Sequence, residues 1–553
     1  MLLKGSQIIM ECLMEQGVDT IFGYPGGQIM PLYDALYDYT SDGRIRHVLT
    51  SHEQGAAHAA DGYARSSGKV GVCFATSGPG AANTVTGIAT ANMDSSPIVV
   101  ITGQVPGALI GKDSFQEVDI IGVTLAIAKH SFACRRMEDL APAVREAFRI
   151  AKSGRPGPVL VDVSKDVMQE MYEYEPAAPL PVLPPPKVDA RAVETVAKCI
   201  NEAKRPVIYA GGGVVISGAS GELTELAEKA GIPVTTTLMC LGAFDRRSPL
   251  SLGMAGMHGE TDSNMAVHNS DLLIALGARF SDRVTGDVSR FAPGAKIIHI
   301  DIDRSEIGKN VAADIYIIGD VRDVLVKLLP HIKENERADW KRRIHGWKRE
   351  KHGSRGNFGP NEIFAKVREL LEGDVIVATD VGQHQMWTAQ KWPFEKPRRL
   401  ITSGGLGTMG FGLGAAIGAK IANPGKQVIL FTGDGSFRMN CGELITVSAC
   451  KLPIIVFVLK NDTLGMVRQW QKLFFGRRYS ATDLPDVVDY PGLAGAFGLS
   501  GWRVNSVDAL EDAIKTALRS GRGAVIACDV HIDENVWPIV PPGDAINNQL
   551  TEE

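Results

Sequence analysis

Short apolar, β-branched runs alternate with helical stretches along almost the whole chain. They read DTIFGYPG, VGVCFATSG, SPIVVITG and GPVLVDV; then RPVIYAGGG, DLLIALGA and AKIIHIDID; then DVIVATDVG, QVILFTGDG, LPIIVFVLKND and GAVIACDV. The runs end in Gly, Asp, Asn or Ser, and a helical segment follows. Parallel neighbours need a connection long enough to cross back over the sheet, so this alternation predicts parallel sheets with crossover helices. The expected class is α/β, doubly wound.

Two stretches interrupt the pattern. Residues 172–190, YEYEPAAPLPVLPPPKVDA, carry prolines that suit an extended linker and exclude a helix or a central strand. Residues 333–360 are polar and charged, and read as a long surface crossing with some helix. A chain of 553 residues is too long for one core. The breaks predict three α/β domains, about 1–170, 190–335 and 360–553, with no short repeat.

With 44% hydrophobic and 22% charged residues the chain has a globular composition. A net charge of −5 with no basic block argues against nucleic acid as a main partner. Eight cysteines lie singly, with no CxxC pair. Neither a disulfide framework nor a zinc site is indicated, and a reducing compartment fits. The first residues read as an amphipathic helix leading into a strand, and runs such as LPIIVFVL are too short for a membrane span. The expectation is a cytoplasmic protein without a membrane partner.

Chemistry enters first at QVILFTGDGSFRMN. Here a strand meets a glycine-flanked aspartate and a helix start, and one helical crossover leads to LPIIVFVLKND. Asp434 and Asn461 therefore end two strands that can be neighbours, their carboxyl ends opening on one crevice. A carboxylate and an amide oxygen are hard ligands suited to Mg²⁺, which shares its shell with phosphate oxygens. Gly433 and Gly435 let backbone approach a phosphate, and the helix start favours its charge. Two ordinary turns would explain either motif alone; the pair at this spacing favours the site. GLGTMG at 405–410 matches GxGxxG, yet no strand immediately precedes it and its glycines run on into FGLGAAIG, so a close-packed helix explains it better. No GxxxxGK[ST] occurs.

A second carboxylate needs an explanation. In HVLTSHEQGAAHAADGYARS an apolar strand-like run ends at Thr50, and Glu53 then opens an alanine-rich helix. By itself this reads as a carboxylate favoured at a helix N-terminus.

GYPGG, SHEQGAAHAADGYAR, TSGPGAANTVTGIATA, ITGQVP, DSFQEVD, GRPGPVLVDVSKD, LGMAGMHG, ARFSDRVTGD, KIIHIDID, the GDG-to-Asn pattern and LGMVRQWQ together resemble the acetohydroxyacid synthase catalytic-subunit family, thiamin-diphosphate enzymes. The resemblance runs nearly end to end. It implies a pyrimidine-binding domain, a central domain carrying FAD and a diphosphate-binding domain. It also implies a homodimer or tetramer with active sites between subunits, and leaves room for a separate small regulatory subunit.

By that resemblance Glu53 hydrogen-bonds a pyrimidine nitrogen of the cofactor, whose own amine then takes the thiazolium proton. A closely packed apolar site pushes a carboxyl toward carrying a proton near neutral pH. Met466 is the apolar wedge that keeps the cofactor bent. Gly407 and Met409 line the pyrimidine; Gln383, His384, Gly433, Gly435, Ser436 and Gly465 meet the diphosphate; and the Thr463 carbonyl joins Asp434 and Asn461 on Mg²⁺. Gly27, Phe115, Gln116 and Lys165 take substrate-side positions, and Trp470 narrows the second-substrate pocket. FAD contacts fall on Gly212, Thr237, Leu238, Met257, His258, Arg279, Asp282, Arg283, Asp301 and Asp320, with Arg283 also facing the second keto acid. Core packing for Met466 and Trp470, a loop histidine at His384 and a solvated lysine at Lys165 are the ordinary alternatives.

Gln28, Ala108, Thr408 and Gly414 depart from common family forms, and Gly414 is expected to loosen a helix start. The implied reaction condenses two 2-keto acids with loss of CO₂, giving 2-acetolactate from pyruvate or 2-aceto-2-hydroxybutyrate with 2-oxobutyrate as acceptor. The rivals are another thiamin-diphosphate decarboxylase or carboligase, and a catalytically idle nucleotide-binding scaffold.

Overall fold

The computed structural model describes residues 1–347 and 353–551. Among the described residues, twenty strands form three six-stranded parallel sheets and one small ribbon, in which β1 (Leu2–Lys4) pairs antiparallel with β8 (Met171–Glu173). The first sheet contains β2 (Thr20–Gly23), β3 (Arg46–Leu49), β4 (Gly71–Ala75), β5 (Ile98–Gln104), β6 (His130–Cys134) and β7 (Val159–Ser164), in the order β3-β2-β4-β5-β7-β6. The second contains β9 (Pro206–Ala210), β10 (Val234–Thr236), β11 (Ser251–Met254), β12 (Leu272–Leu276), β13 (Lys296–Asp301) and β14 (Ile315–Ile318), ordered β11-β10-β9-β12-β13-β14. The third contains β15 (Ile376–Thr379), β16 (Leu400–Ile401), β17 (Val428–Gly433), β18 (Ile454–Lys460), β19 (Ser500–Val504) and β20 (Ala524–Asp529), ordered β16-β15-β17-β18-β20-β19.

Numbered within each sheet, the first and third share one order, 2-1-3-4-6-5, while the second runs 3-2-1-4-5-6. The outer domains are thus topological copies around a dinucleotide-type middle domain. In such sheets the strand order reverses at one point, and the crevice there receives ligands at the carboxyl ends of the strands. That crevice lies between β2 and β4, between β9 and β12, and between β15 and β17. Central strands such as β5, β12 and β18 are buried along their whole length, which explains why they read as continuous apolar runs.

The first and third domains meet through two helices, Glu53–Ser67 and Phe411–Ala422, whose facing residues are mostly alanine and glycine. A Cβ on Gly62 would overlap the Ala415 carbonyl, and one on Gly418 would overlap that of Ala59. The alanine richness after Glu53 therefore serves helix–helix approach between domains.

Several expectations need adjustment. Residues 405–410 form a loop, and the helix begins only at Phe411, behind Gly410 in the left-handed region (φ 86°). Gly414 lies inside that helix, where a Cβ would stand 2.9 Å from His58 Cβ, so close approach to the Glu53 helix favours glycine there. The connection from β17 to β18 is three short pieces, Asp434–Asn440, Cys441–Glu443 and Leu444–Ala449, instead of one helix. The proline-rich linker opens on β8, at the edge ribbon, and then carries no helix or strand to residue 189. In the second break Ala338–His345 is helical, and residues 348–352 lie outside the described residues. All eight cysteines are unpaired, and no described helix is long and apolar enough to cross a membrane.

Candidate functional site

β17 and β18 are paired in register, Gly433 opposite Leu459, so the residues that follow them share one end of the sheet. Asp434 is almost fully buried and braced by backbone amides. Its Oδ1 accepts from Gly435 (2.9 Å), and its Oδ2 from Asn461 (3.2 Å) and Asp462 (2.7 Å). Burial pushes its carboxyl above the usual range, and the amide donors oppose that. Asn461 Oδ1 accepts from the Thr463 amide (3.3 Å), and its Nδ2 donates to Gln383 Oε1 (3.2 Å). Gln383 in turn donates to Gln469 Oε1 (3.2 Å) and to the Glu534 carbonyl (2.8 Å).

Among the described residues no three His, Cys, Asp or Glu side chains converge on a metal. A set built from one carboxylate, an amide oxygen and a carbonyl would not form such a cluster, and it suits a hard cation that takes phosphate oxygens as its other ligands. The surrounding polar atoms fit an anionic group. His384 is buried with no partner at Nε2, and burial holds its ring near pKa 3, hence neutral. Gly433 passes close to that ring, where a Cβ would stand 3.0 Å from Nδ1. At Gly465 a Cβ would collide with Gln383 Oε1 and Asn461 Nδ2, so only glycine leaves this cradle open. Ser436 Oγ donates to the Val381 carbonyl (3.1 Å), and Met409 lies near Gly435.

A cleft of about 760 Å³ runs from the second domain to the loops of the third. Its wall includes Gly212, Thr237, Leu238, Met257, His258, Arg279, Asp282, Arg283, Asp301 and Asp320, every flavin position the resemblance names. Gly407, Met466 and Trp470 complete its other end. Gly213 backs onto Gly277, where a Cβ would stand 2.7 Å from the Gly277 Cα, and a Cβ on Gly212 would stand 3.3 Å from the Met239 Cβ. Thr237 Oγ1 and His258 Nδ1 are buried without partners, as polar atoms awaiting a polar ligand would be. Burial pushes the Asp301 carboxyl up to about 6. Asp320 also caps the helix Val321–Leu328, accepting from Arg322 and Asp323 amides, so it has a structural task as well. Arg283 lies over the Trp470 indole at 5.6 Å, and both Asp282 and Arg283 are exposed.

The remaining positions gather in the first domain. Lys165 Nζ donates to the Gly27 carbonyl (3.0 Å), and the Gln116 side chain approaches the same glycine. Gln116 has φ 63°, and Phe115 beside it is 85% exposed. Glu53 is buried, and its Oε2 accepts from Asn83 Nδ2 (2.9 Å). It does not cap its own helix: the N-cap is His52, whose Nδ1 accepts from the Gln54 amide (3.0 Å). None of Glu53, Gly27, Phe115, Gln116 and Lys165 lines the cleft. Asp434, Asn461, Gln383 and His384 do not line it either, so the candidate residues fall into three groups: the first-domain set, the Asp434 cradle and the cleft.

Sequence reading passed over Asn83, the partner of Glu53, although it sits in the quoted TSGPGAANT. It also passed over Asp94, whose carboxylate accepts from the Gly404 (3.0 Å) and Gly405 (2.7 Å) amides and braces the Gly407 loop from the first domain. No local signal marks either residue.

Residues 3–123, 193–328 and 380–528 match the N-terminal, central and C-terminal domains of thiamine pyrophosphate enzymes, the outer two described as TPP binding. The chain is 49% identical, over 98% of its length and 90% of the relative's, to an acetolactate synthase large subunit of Parasynechococcus marenigrum. It is 48% identical to a probable acetolactate synthase large subunit of Methanocaldococcus jannaschii, covering 99% of this chain and 95% of that one. It is 46% identical to the acetolactate synthase isozyme 2 large subunit of Escherichia coli over the full length of both. With three domains in that order and near-complete coverage, the chain belongs to the acetolactate synthase large-subunit family of thiamine pyrophosphate enzymes.

Proposed function

We propose that the chain joins two 2-keto acids with loss of CO₂, making 2-acetolactate from two pyruvates and 2-aceto-2-hydroxybutyrate from pyruvate and 2-oxobutyrate, in branched-chain amino-acid biosynthesis. The observation that carries this reading is the pair of complementary half-sites. One is the buried Glu53 carboxylate held by Asn83, with Lys165 and Gln116 gathered around Gly27 in the same domain, and the other is an amide-braced Asp434 with a glycine cradle. Thiamin diphosphate, when bound, supplies the electron sink for the carbon left by decarboxylation.

The chain's own residues have separable tasks. Asp434, the Asn461 amide oxygen and the Thr463 carbonyl would hold Mg²⁺, while Gly433, Gly435, Ser436, Gly465, Gln383 and His384 would surround the diphosphate. Met466 would pack against the cofactor between its diphosphate and its pyrimidine, and Gly407 and Met409 would line the pyrimidine. Glu53 holds and returns a proton at the pyrimidine nitrogen, with Asn83 fixing its other oxygen. Gly27, Phe115, Gln116 and Lys165 orient the first keto acid. Arg283 offers a guanidinium to the carboxylate of the second, and the Trp470 indole bounds its alkyl group. Gly212, Thr237, Leu238, Met257, His258, Arg279, Asp282, Arg283, Asp301 and Asp320 would hold FAD in the cleft, where it would serve a structural role because the reaction has no net redox change.

The family resemblance implies a homodimer pairing the first domain of one copy with the third of the other, and Glu53 and the Asp434 cradle lie on those two domains. A tetramer and a separate small regulatory subunit are compatible extensions. Domain limits of about 1–170, 190–335 and 360–553 follow the three sheets, and unpaired cysteines support a cytoplasmic setting. Product analysis of the purified protein with pyruvate, thiamin diphosphate and Mg²⁺, followed by competition with 2-oxobutyrate, tests the reading. Acetolactate and its homologue are expected, whereas free acetaldehyde as the main product would overturn it.

A further inference from the structure

Glu443 lies in the third domain, on the turn Cys441–Glu443 between two short helices, yet its side chain serves the first domain. Oε1 accepts from the amides of Ser51 (3.1 Å) and His52 (3.1 Å). Oε2 accepts from the Ser51 amide (3.2 Å) and the Thr446 hydroxyl (2.6 Å). The residue is 1% exposed. A charged acceptor shared by backbone amides in a buried setting makes a strong, directional hold. A Cβ on Gly55 would collide with this carboxylate, so the glycine opens the first turn of the helix to it. Ser51 and His52 are the two residues immediately before Glu53, and His52 is the cap of its helix. The backbone that aims Glu53 is therefore held by a carboxylate from another domain.

We propose that Glu443 is a positioning residue for the reaction: from the third domain it fixes residues 51–53 and so the direction of the Glu53 carboxyl. The inference rests on the proton-transfer role given to Glu53 above. A misplacement of about 1 Å costs on the order of 10²-fold in rate, so a loosened turn reaches catalysis without touching the cofactor.

Glu443→Gln keeps the shape but turns an amide group toward one backbone donor. Two measurements on the full chain test the idea. In the cofactor-free protein, amide hydrogen exchange of residues 51–56 should accelerate about tenfold or more, with the rest of the Glu53 helix unchanged. With thiamin diphosphate and Mg²⁺, deuterium exchange at the thiazolium carbon should slow about tenfold or more in Glu443→Gln, but by less than about twofold when the change is added to Glu53→Gln, because both act through one group. Equal losses in both backgrounds, or normal amide and thiazolium exchange in Glu443→Gln, would overturn the proposal. If Glu443→Gln does not fold, Thr446→Val, which removes the hydroxyl orienting the carboxylate, carries the same cycle, and an unchanged thiazolium exchange in it counts against the proposal. Normal thiazolium exchange in Glu53→Gln alone would instead overturn the role of Glu53.

Discussion

The Arg283 guanidinium stacks over the Trp470 indole at 5.6 Å, joining an exposed cation of the second domain to an aromatic of the third. Trp470 Nε1 is buried without a hydrogen-bond partner, and Phe474 packs edge-on against the ring. The indole thus forms a wall whose removal should alter selectivity before stability. Trp470→Leu should erode the preference for 2-oxobutyrate over pyruvate as acceptor. One methylene in an apolar pocket is worth about 1–3 kcal/mol, roughly a 10–200-fold preference. Product ratios under competition check this, and an unchanged ratio would return Trp470 to the core.

At the other end of the cofactor, Asp434→Ala should abolish activity by weakening metal and diphosphate together. Its melting temperature should fall as well, because three backbone amides lose the acceptor they share, so Asp434→Asn separates the metal effect from the structural one. Asp434→Asn should be partly restored by excess Mg²⁺, read as activity against metal concentration. No response to metal would count against Asp434 as a ligand.

FAD should co-purify and survive gel filtration as a flavin absorbance, because the cleft presents buried Thr237 and His258 atoms without partners. A colourless preparation with full activity and no response to added FAD would overturn the assignment.

Asp301 yields a pH prediction. Burial raises its carboxyl from an ordinary value near 3.8 to about 6. A raised carboxyl binds its proton more tightly when folded, so the folded state is favoured below the unfolded pKa and progressively disfavoured as pH rises toward 6. Asp301→Asn keeps an acceptor for the Asp303 amide and removes that charge. The FAD-free variant should match wild type near pH 4 and exceed it by about 1–3 kcal/mol above pH 6, since a tenfold change in proton affinity corresponds to about 1.36 kcal/mol. Denaturant unfolding at the two pH values measures the difference.

The strands that carry chemistry were legible because a fully buried parallel strand writes itself as an apolar run, and Asp434 and Asn461 end two such runs that are neighbours. Edge and short strands were not: β16 has two residues and β6 is partly exposed, so neither leaves a pattern. Gly405–Gly410 looked helical because its glycines continue into a real helix, and only the left-handed Gly407 and Gly410 mark the loop. Glu443, Asn83 and Asp94 act on residues far away in the chain, often in another domain. Such pairings depend on how domains pack, and no local spacing encodes them.

Glu53 shows the same contrast at a single position. Its place at a helix start allowed a capping carboxylate, but in the structure His52 takes that task and the Glu53 carboxylate turns instead to Asn83. Glu53→Gln keeps the shape and a hydrogen bond to Asn83, yet cannot exchange a proton with a pyrimidine nitrogen. Loss of a positioned acid or base usually costs about 10²–10⁴ in rate. A fall of that order is expected in thiazolium deuterium exchange and in acetolactate formation, with the melting temperature nearly unchanged. A capping role would do the reverse, leaving exchange close to wild type and lowering stability by about 0.5–2 kcal/mol. NMR of the exchanging proton beside a thermal melt separates the two. An Asn83→Ala variant extends the test: it frees one Glu53 oxygen without removing the carboxyl, so exchange should fall less than in Glu53→Gln.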